Sequence, residues 1–297
     1  MNFILFYTMI SNTSNIIAGT MNWGTWGSKL STFAMQERIE TYLSENIITF
    51  DHADIYGGYT TETDFGKAWK NMAIARENVR FVTKCGIKMI AENRDYGSKH
   101  YDYSKEHLIR SVENSLKNLQ TEYVDVLLLH RPSPLMQPEV IAEAISELKN
   151  SGKIVGFGLS NFTPSQTDLI RKYNVVSYNQ IQFSATHLQP MLTGELDYMM
   201  LHNIQPMAWN PLGSIYKEAI PQTIRLQDLL QKLSIKYGIS DDLLLLAWVL
   251  KHPAKIQPVI GTTQIDRIKS LKQLHGFELE LEDWFAIWTE SIGTKIP

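Results

Sequence analysis

Short apolar runs alternate with longer amphipathic ones along nearly the whole chain. The short runs are Ile16–Thr20, Ile47–His52, Val79–Lys84, Val124–His130, Ile154–Ser160, Val175–Gln182, Gln205–Asn210 and Ile256–Gly261. They are rich in Val and Ile or nearly continuous in apolar residues, as parallel strands buried on both faces require. Helical patterns lie between them. Ser104 is placed to cap a helix that carries Leu108, Val112, Leu116 and Leu119 at steps of three and four. Pro138 suits a first helical turn; Ile141, Ile145 and Leu148 then share a face, and Gly152 follows the end. Ser240 before Asp241 and Asp242 is another start signal. Leu281–Ile292 reads as an extra C-terminal helix.

Eight strands with intervening helices predict an α/β chain of one domain, residues 1–297, folded as a single (β/α)8 TIM barrel. An open doubly wound sheet is the rival. It usually carries a Gly-rich fingerprint after its first strand, and Gly19-Thr20-Met21-Asn22-Trp23-Gly24 is not that fingerprint. The runs Phe3–Ile10 and Ser14–Ile17, split by polar residues 11–13, predict an N-terminal β-hairpin on the barrel floor.

Composition narrows the function classes. The formal net charge is -3, with no long basic or acidic run, so neither nucleic acid nor an anionic membrane is the expected partner. No apolar stretch reaches the ~18 residues of a membrane helix. The single cysteine, Cys85, has no internal disulfide partner; this fits a reducing compartment and predicts a cytoplasmic protein. The apolar start lacks the basic beginning and small-residue cleavage site of a signal peptide, and reads as a strand.

Active sites of such barrels sit at the C-terminal strand ends. Three successive ends carry polar chemistry: Asp51-His52-Ala53-Asp54-Ile55-Tyr56-Gly57, Val82-Thr83-Lys84, and Leu129-His130-Arg131-Pro132. Adjacent strands would bring Asp51, Lys84 and His130 together, with Tyr56 folded over them. A free tyrosine has a pKa near 10, and a neighbouring Lys84 cation is expected to lower it. Asp51 would serve as the lysine's counter-ion, and His130 would hydrogen-bond a substrate oxygen. Such a group is an acid and an electrostatic clamp for a developing alkoxide, without an activated nucleophile for acyl transfer. His52 and Asp54 suggest a metal pair, but alternation sends His52 to the face opposite Asp51, so no metal is expected. Cys85 should point to the helical shell as packing.

These residues resemble the aldo-keto reductase family, from about Ile16 to Leu271. Asp51-His52-Ala53-Asp54-Ile55-Tyr56-Gly57 is similar to the family's Asp-x-Ala-x-x-Tyr-Gly motif. Lys84 and His130 fall in segments similar to its lysine and histidine segments, and Gly152-Lys153 through Gly158-Leu159-Ser160-Asn161-Phe162 to its Ser-Asn-Phe block. His130-Arg131-Pro132 through Met136, Ala208 to Gly213 and the tail resemble a bacterial, YdhF-type branch of oxidoreductases.

The resemblance implies hydride transfer from NADPH to the carbonyl of a small aldehyde or ketone, with Tyr56 as proton donor, Lys84 and Asp51 in support, and His130 orienting the carbonyl. It also implies the cofactor contacts. Ser160, Asn161 and Gln180 would hold the nicotinamide amide, and Trp209 would stack on the ring. Gly19, Thr20 and Asp51 would line the first strands. Asn210, Leu212 and Gly213 would follow the pyrophosphate. Thr262, Gln264 and Arg267 would take the 2′-phosphate, which favours NADPH over NADH. Gly261 stands where many members have lysine, so one cation is missing there. Trp23, Tyr56 and His130 are expected in the substrate pocket, with Trp26, Tyr59 and Met89 as further walls; Ala91–Tyr103 is expected as a flexible flap. The resemblance implies a monomer or weak homo-oligomer.

Two other readings compete. A barrel hydrolase could use Asp51 and Asp54 as a carboxylate pair, but Lys84 would then be unexplained. A cofactor-binding regulatory subunit of the same fold would need little turnover, against which the complete set of Asp51, Tyr56, Lys84 and His130 stands.

Overall fold

The computed structural model describes residues 14–296. Eight parallel strands close into a barrel: β1 (Ile17–Gly19), β2 (Thr49–Asp51), β3 (Arg80–Cys85), β6 (Val124–Leu129), β7 (Ile154–Ser160), β8 (Tyr178–Gln182), β9 (Gln205–Trp209) and β10 (Gln257–Ile260). The order around it is β1-β10-β9-β8-β7-β6-β3-β2, so helices separate strands that are neighbours in sequence, as a (β/α)8 barrel requires. All eight expected runs became strands, each within a few residues of its predicted ends. Of the N-terminal hairpin expected over Phe3–Ile10 and Ser14–Ile17, the first run lies outside the described residues; in the second only Ile17 is extended, as the start of β1. Among the described residues no helix is long and apolar enough to cross a membrane.

The chain packs as two compact units: the described part of Met1–Asn179 with Gly261–Lys269, and the described part of Gln180–Pro297 that remains. In the first unit the helices α1 (Thr32–Ser44), α2 (Thr61–Lys70), α3 (Lys105–Leu119) and α4 (Pro138–Asn150) follow their strands. Ser104 caps α3 as expected, its side chain accepting from the His107 N–H, and Leu108, Val112, Leu116 and Leu119 are buried. The core beneath β2 and β3 is aromatic. Trp23, Tyr42, Phe50, Phe65 and Phe81 are all fully buried, and their rings meet mostly edge-on or tilted, with Trp23 and Tyr42 stacked. His52 joins them, 4.4 Å from the Phe65 ring centre, on the face opposite Asp51 as alternation dictates. Burial holds its imidazole neutral, at a pKa of about 3.

The segment 91–103, expected as a flap, is bounded by a short hairpin. Two short strands, β4 (Ile87–Lys88) and β5 (His100–Tyr101), pair antiparallel across it. A Lys88–Asp102 ion pair at 2.5 Å and the Tyr103 hydroxyl, bonded to the Arg131 carbonyl, fasten this hairpin. Two-residue strands show no alternation, so the polar sequence hides them.

In the second unit a stack of Phe183, Trp248 and Trp284 anchors the C-terminal helix Leu281–Ile292. The two indoles are 5.1 Å apart and nearly parallel, and each N–H donates to the other residue's carbonyl. Ser240 precedes the helix Asp241–Leu250 as expected, but its hydroxyl bonds the Asp242 carboxylate rather than a backbone N–H. With two acids in the first turn, the hydroxyl acts as a donor to one of them instead of accepting from the backbone.

Candidate active site

The tetrad is brought together at the C-terminal ends of β2, β3 and β6. Alternation on β3 turns Lys84 one way and Thr83 the other. Lys84 Nζ then has three partners: Asp51 Oδ2 at 2.7 Å, the His52 carbonyl at 2.7 Å and the Tyr56 hydroxyl at 3.0 Å. The lysine is 1% exposed and Asp51 2%. A buried ammonium is tolerable only with such pairing. Burial acts against the charge of Lys84, but Asp51 and then Tyr56 outweigh it, so its pKa stands above the ordinary lysine value.

The turn after Asp51 positions Tyr56. Gly57, Gly58 and Tyr59 all take positive φ, at 62°, 66° and 69°. At Gly57 a Cβ would sit 2.4 Å from the Thr61 hydroxyl, so the turn there closes only on glycine. Tyr59 tolerates its strained backbone because its hydroxyl accepts the Met89 N–H at 2.8 Å and Arg94 lies over its ring.

Burial raises the Tyr56 pKa, and Lys84 offsets only part of that rise. This corrects the expected lowering. A phenol removed from water loses the solvation of its anion, and one nearby cation does not restore it. The ground state is thus a protonated Tyr56 bonded to a charged Lys84. The His130 ring stands 6.2 Å from that of Tyr56, edge to face. Burial first, then Lys84 and Arg131, holds its imidazole neutral, with a pKa well below the ordinary value. Its Nδ1 has no hydrogen-bond partner among the described residues.

The remaining candidates fall as follows. Trp23 is fully buried in the aromatic cluster, and so belongs to the core rather than to a pocket wall. Trp26, two-fifths exposed, has its ring 6.1 Å from that of Tyr56 and is the better wall. Gly19 ends β1, but the Thr20 N–H and hydroxyl both donate to the Asp51 carbonyl. Ser160 ends β7, buried; Asn161 follows in the left-handed region and donates to the Ser160 hydroxyl at 2.8 Å. The helix cap before Pro164 is Thr163, which frees that pair from a capping role.

Gly261, Thr262, Gln264 and Arg267 form one loop and helix start. Tyr42 donates to the Thr262 carbonyl at 2.8 Å, and Arg38 to the Thr263 carbonyl at 3.1 Å. These two braces come from α1, more than two hundred residues earlier, and no local pattern announces them. With those carbonyls occupied, the loop presents exposed Gln264 and Arg267. At Gly261 a Cβ would meet the Asn22 amide at 3.2 Å, so the position is already crowded. A cationic side chain beside hydroxyl and amide groups fits a phosphate.

In the second unit Gln180 is buried on β8, and Trp209 ends β9. Asn210 and Gly213 turn at positive φ, Asn210 accepting from Lys217; a Cβ at Gly213 would lie 1.9 Å from the Thr186 hydroxyl. Among the described residues no three His, Cys, Asp or Glu side chains stand together as a metal site.

The sequence pattern of the Aldo/keto reductase family matches residues 15–290. The chain belongs to that family. Two bacterial relatives match over nearly their full length. The uncharacterized oxidoreductase YcsN of Bacillus subtilis is 40% identical over 290 residues, 96% of each chain. The oxidoreductase YdhF of Escherichia coli is 35% identical, covering 93% of this chain and 92% of its own. The crystal structure of an aldo/keto reductase from Klebsiella pneumoniae, in complex with NADP and acetate, superposes with a TM-score of 0.74 at 21% identity, covering 93% and 90% of the two chains. This family member is thus an oxidoreductase of the (β/α)8 class, and NADP(H) is the family's cofactor.

Proposed function

We propose that the protein is an NADPH-dependent carbonyl reductase acting on small aldehydes or ketones, with Tyr56 as proton donor. The observation that carries this reading is the three-way bond of Lys84 to Asp51, His52 and Tyr56. It holds a cation against a phenol that still bears its proton.

Bound NADPH supplies the hydride. The residues of the chain manage the oxygen. Neutral His130 donates a hydrogen bond to the carbonyl oxygen and orients it. As charge grows on that oxygen, Tyr56 Oη gives up its proton, and the product is an alcohol. The phenolate left behind is stabilised by Lys84, whose charge Asp51 maintains. Water then returns the proton to Tyr56. In the first unit Ser160 and Asn161 would hold the nicotinamide amide, and Thr262, Gln264 and Arg267 the 2′-phosphate. Gln180, Trp209, Asn210, Leu212 and Gly213 are assigned in the second unit from the family resemblance.

Tyr56→Phe tests the assignment. With a panel of activated aldehydes and dicarbonyls, NADPH oxidation should fall by about 10²–10⁴-fold, the usual weight of a general acid. NADPH binding, followed by tryptophan quenching, should be unchanged. Full turnover in the variant removes Tyr56 from the mechanism.

A further inference from the structure

The tetrad uses one face of β3, and the other face leads to a second polar space. Thr83, turned away from Lys84 by alternation, donates to Glu62 of α2 at 2.6 Å. Beside that bond lies a cavity of about 370 Å³, within the size range of small-molecule sites. Its walls are the turn after β2 (Asp54, Tyr59), Glu62, the β4–β5 hairpin (Ile87, Arg94, Tyr96) and one face of α3.

That face of α3 is unusual. Barrel helices bury apolar stripes, and Leu108, Val112, Leu116 and Leu119 do so here. A second stripe, at the same steps of three and four, is polar: His107, Arg110, Ser111, Asn114, Lys117 and Asn118. His107 and Ser111 are more than nine-tenths buried, at the floor, while Arg110, Asn114 and Lys117 are exposed at the rim. Buried polar atoms in native proteins normally have partners. Here His107 Nδ1, Asp54 Oδ1 and Glu62 Oε2 have none among the described residues, although the Ser115 and Asn118 side chains also favour the Glu62 carboxylate.

The charge is sorted by depth. Burial and their mutual repulsion raise the Asp54 carboxyl well above the usual range, and burial also raises Glu62. Burial brings His107 down to about 4, so its ring is neutral. The floor is therefore rich in buried hydrogen-bonding groups, the His107 ring among them neutral, and three cations stand around it.

We propose that this cavity is a second binding site, separate from the tetrad, for a small hydroxylated anion: a carboxylate or phosphate ester carrying several hydroxyls. Its charged end rests among Arg94, Arg110 and Lys117. Its hydroxyls satisfy Asp54, Glu62 and His107 below. Asp54 and Tyr59 flank Tyr56 in sequence, so an occupant touches both ends of the turn that positions the phenol.

The test uses the full chain saturated with NADP+, so that the dinucleotide's own phosphate contacts are taken. Isothermal titration with sodium gluconate and with glycerol 3-phosphate should each show one saturable site per chain. The ring signals of His107 in a 1H–13C spectrum should shift along the same curve. Arg110→Ser should weaken binding at least tenfold, and Asn114→Leu should also weaken it, with both thermal midpoints unchanged. Saturation by only one of the two probes supports the site and assigns its head group. The proposal is overturned if neither probe saturates, if Arg110→Ser binds as the parent does, or if His107 does not respond. It is equally overturned if glucose or inorganic phosphate alone binds as tightly as the hydroxylated anions.

Discussion

Two cations of the first unit, Arg76 and Lys84, stand towards opposite ends of the same strand and differ in what they leave undone. Arg76 precedes β3 at its N-terminal end. Its guanidinium reaches Asp125 at 2.7 Å, the Thr121 hydroxyl and the Val79 and Tyr123 carbonyls, and it lies over the rings of Phe81 and Tyr123. Asp125 in turn accepts the Phe81 N–H. Every strong group there is answered within the protein. Lys84, near the C-terminal end, is as fully bonded, but one of its partners is a phenol that keeps its proton, next to a neutral imidazole whose Nδ1 has no partner among the described residues. A closed network stabilises; a network that ends on an open donor acts on something else. The two ends of a barrel divide labour in the same way.

The sharpest way to break this contrast is Lys84→Met. Reduction of a carbonyl by NADPH should fall by about 10²–10⁴-fold. The protein should also lose stability, since Asp51 is left buried without its counter-ion, at a cost of about 3–5 kcal/mol. Near-normal turnover would make Lys84 another Arg76. Arg267 is an intermediate case, a cation at the surface with a proposed external partner. Arg267→Ala should raise the KM for NADPH by roughly ten- to a hundredfold, the weight of a charge-assisted bond, and leave that for NADH nearly unchanged. Equal changes for both cofactors remove the 2′-phosphate role.

At the other end, Arg76→Met should cost about 1–3 kcal/mol of stability, read as a lower denaturation midpoint, because part of the guanidinium still meets water. Turnover per folded molecule should not change; a fall would mean that the two ends are coupled. The smallest expected effect is a null one. His130 stays neutral far below its ordinary pKa, so kcat/KM should show no inflection near pH 6.5. A limb there would mean that His130 works as an imidazolium. Stability should behave otherwise. His52 binds a proton near pH 6.5 when unfolded but only near pH 3 when folded. Its contribution is therefore fully present above pH 6.5 and shrinks by about 1.4 kcal/mol per unit as the pH falls towards 3.

The barrel and the tetrad were legible in the sequence for one reason: strands buried on both faces read as apolar runs, and a charged residue ending such a run stands out. Asp51, Lys84 and His130 each end one. Alternation also placed His52 on the far face, among the aromatic rings. What could not be read is what depends on distance through the fold. The sign of the Tyr56 shift follows from how deeply the phenol is buried, which no spacing gives. Trp23 and Trp26 are three residues apart, yet one is core and the other lies beside Tyr56. Arg38 and Tyr42 brace a loop at the opposite end of the chain. The polar stripe of α3 was present in the letters, but the apolar stripe beside it already accounted for the helix.

The reciprocal indole pair of Trp248 and Trp284 has an optical consequence. Two parallel rings 5.1 Å apart couple their electronic transitions. The near-ultraviolet dichroism of the protein should therefore carry a band that depends on the helix Leu281–Ile292 being seated. Without any added dye, detachment of that helix during heating can be timed against loss of the far-ultraviolet signal.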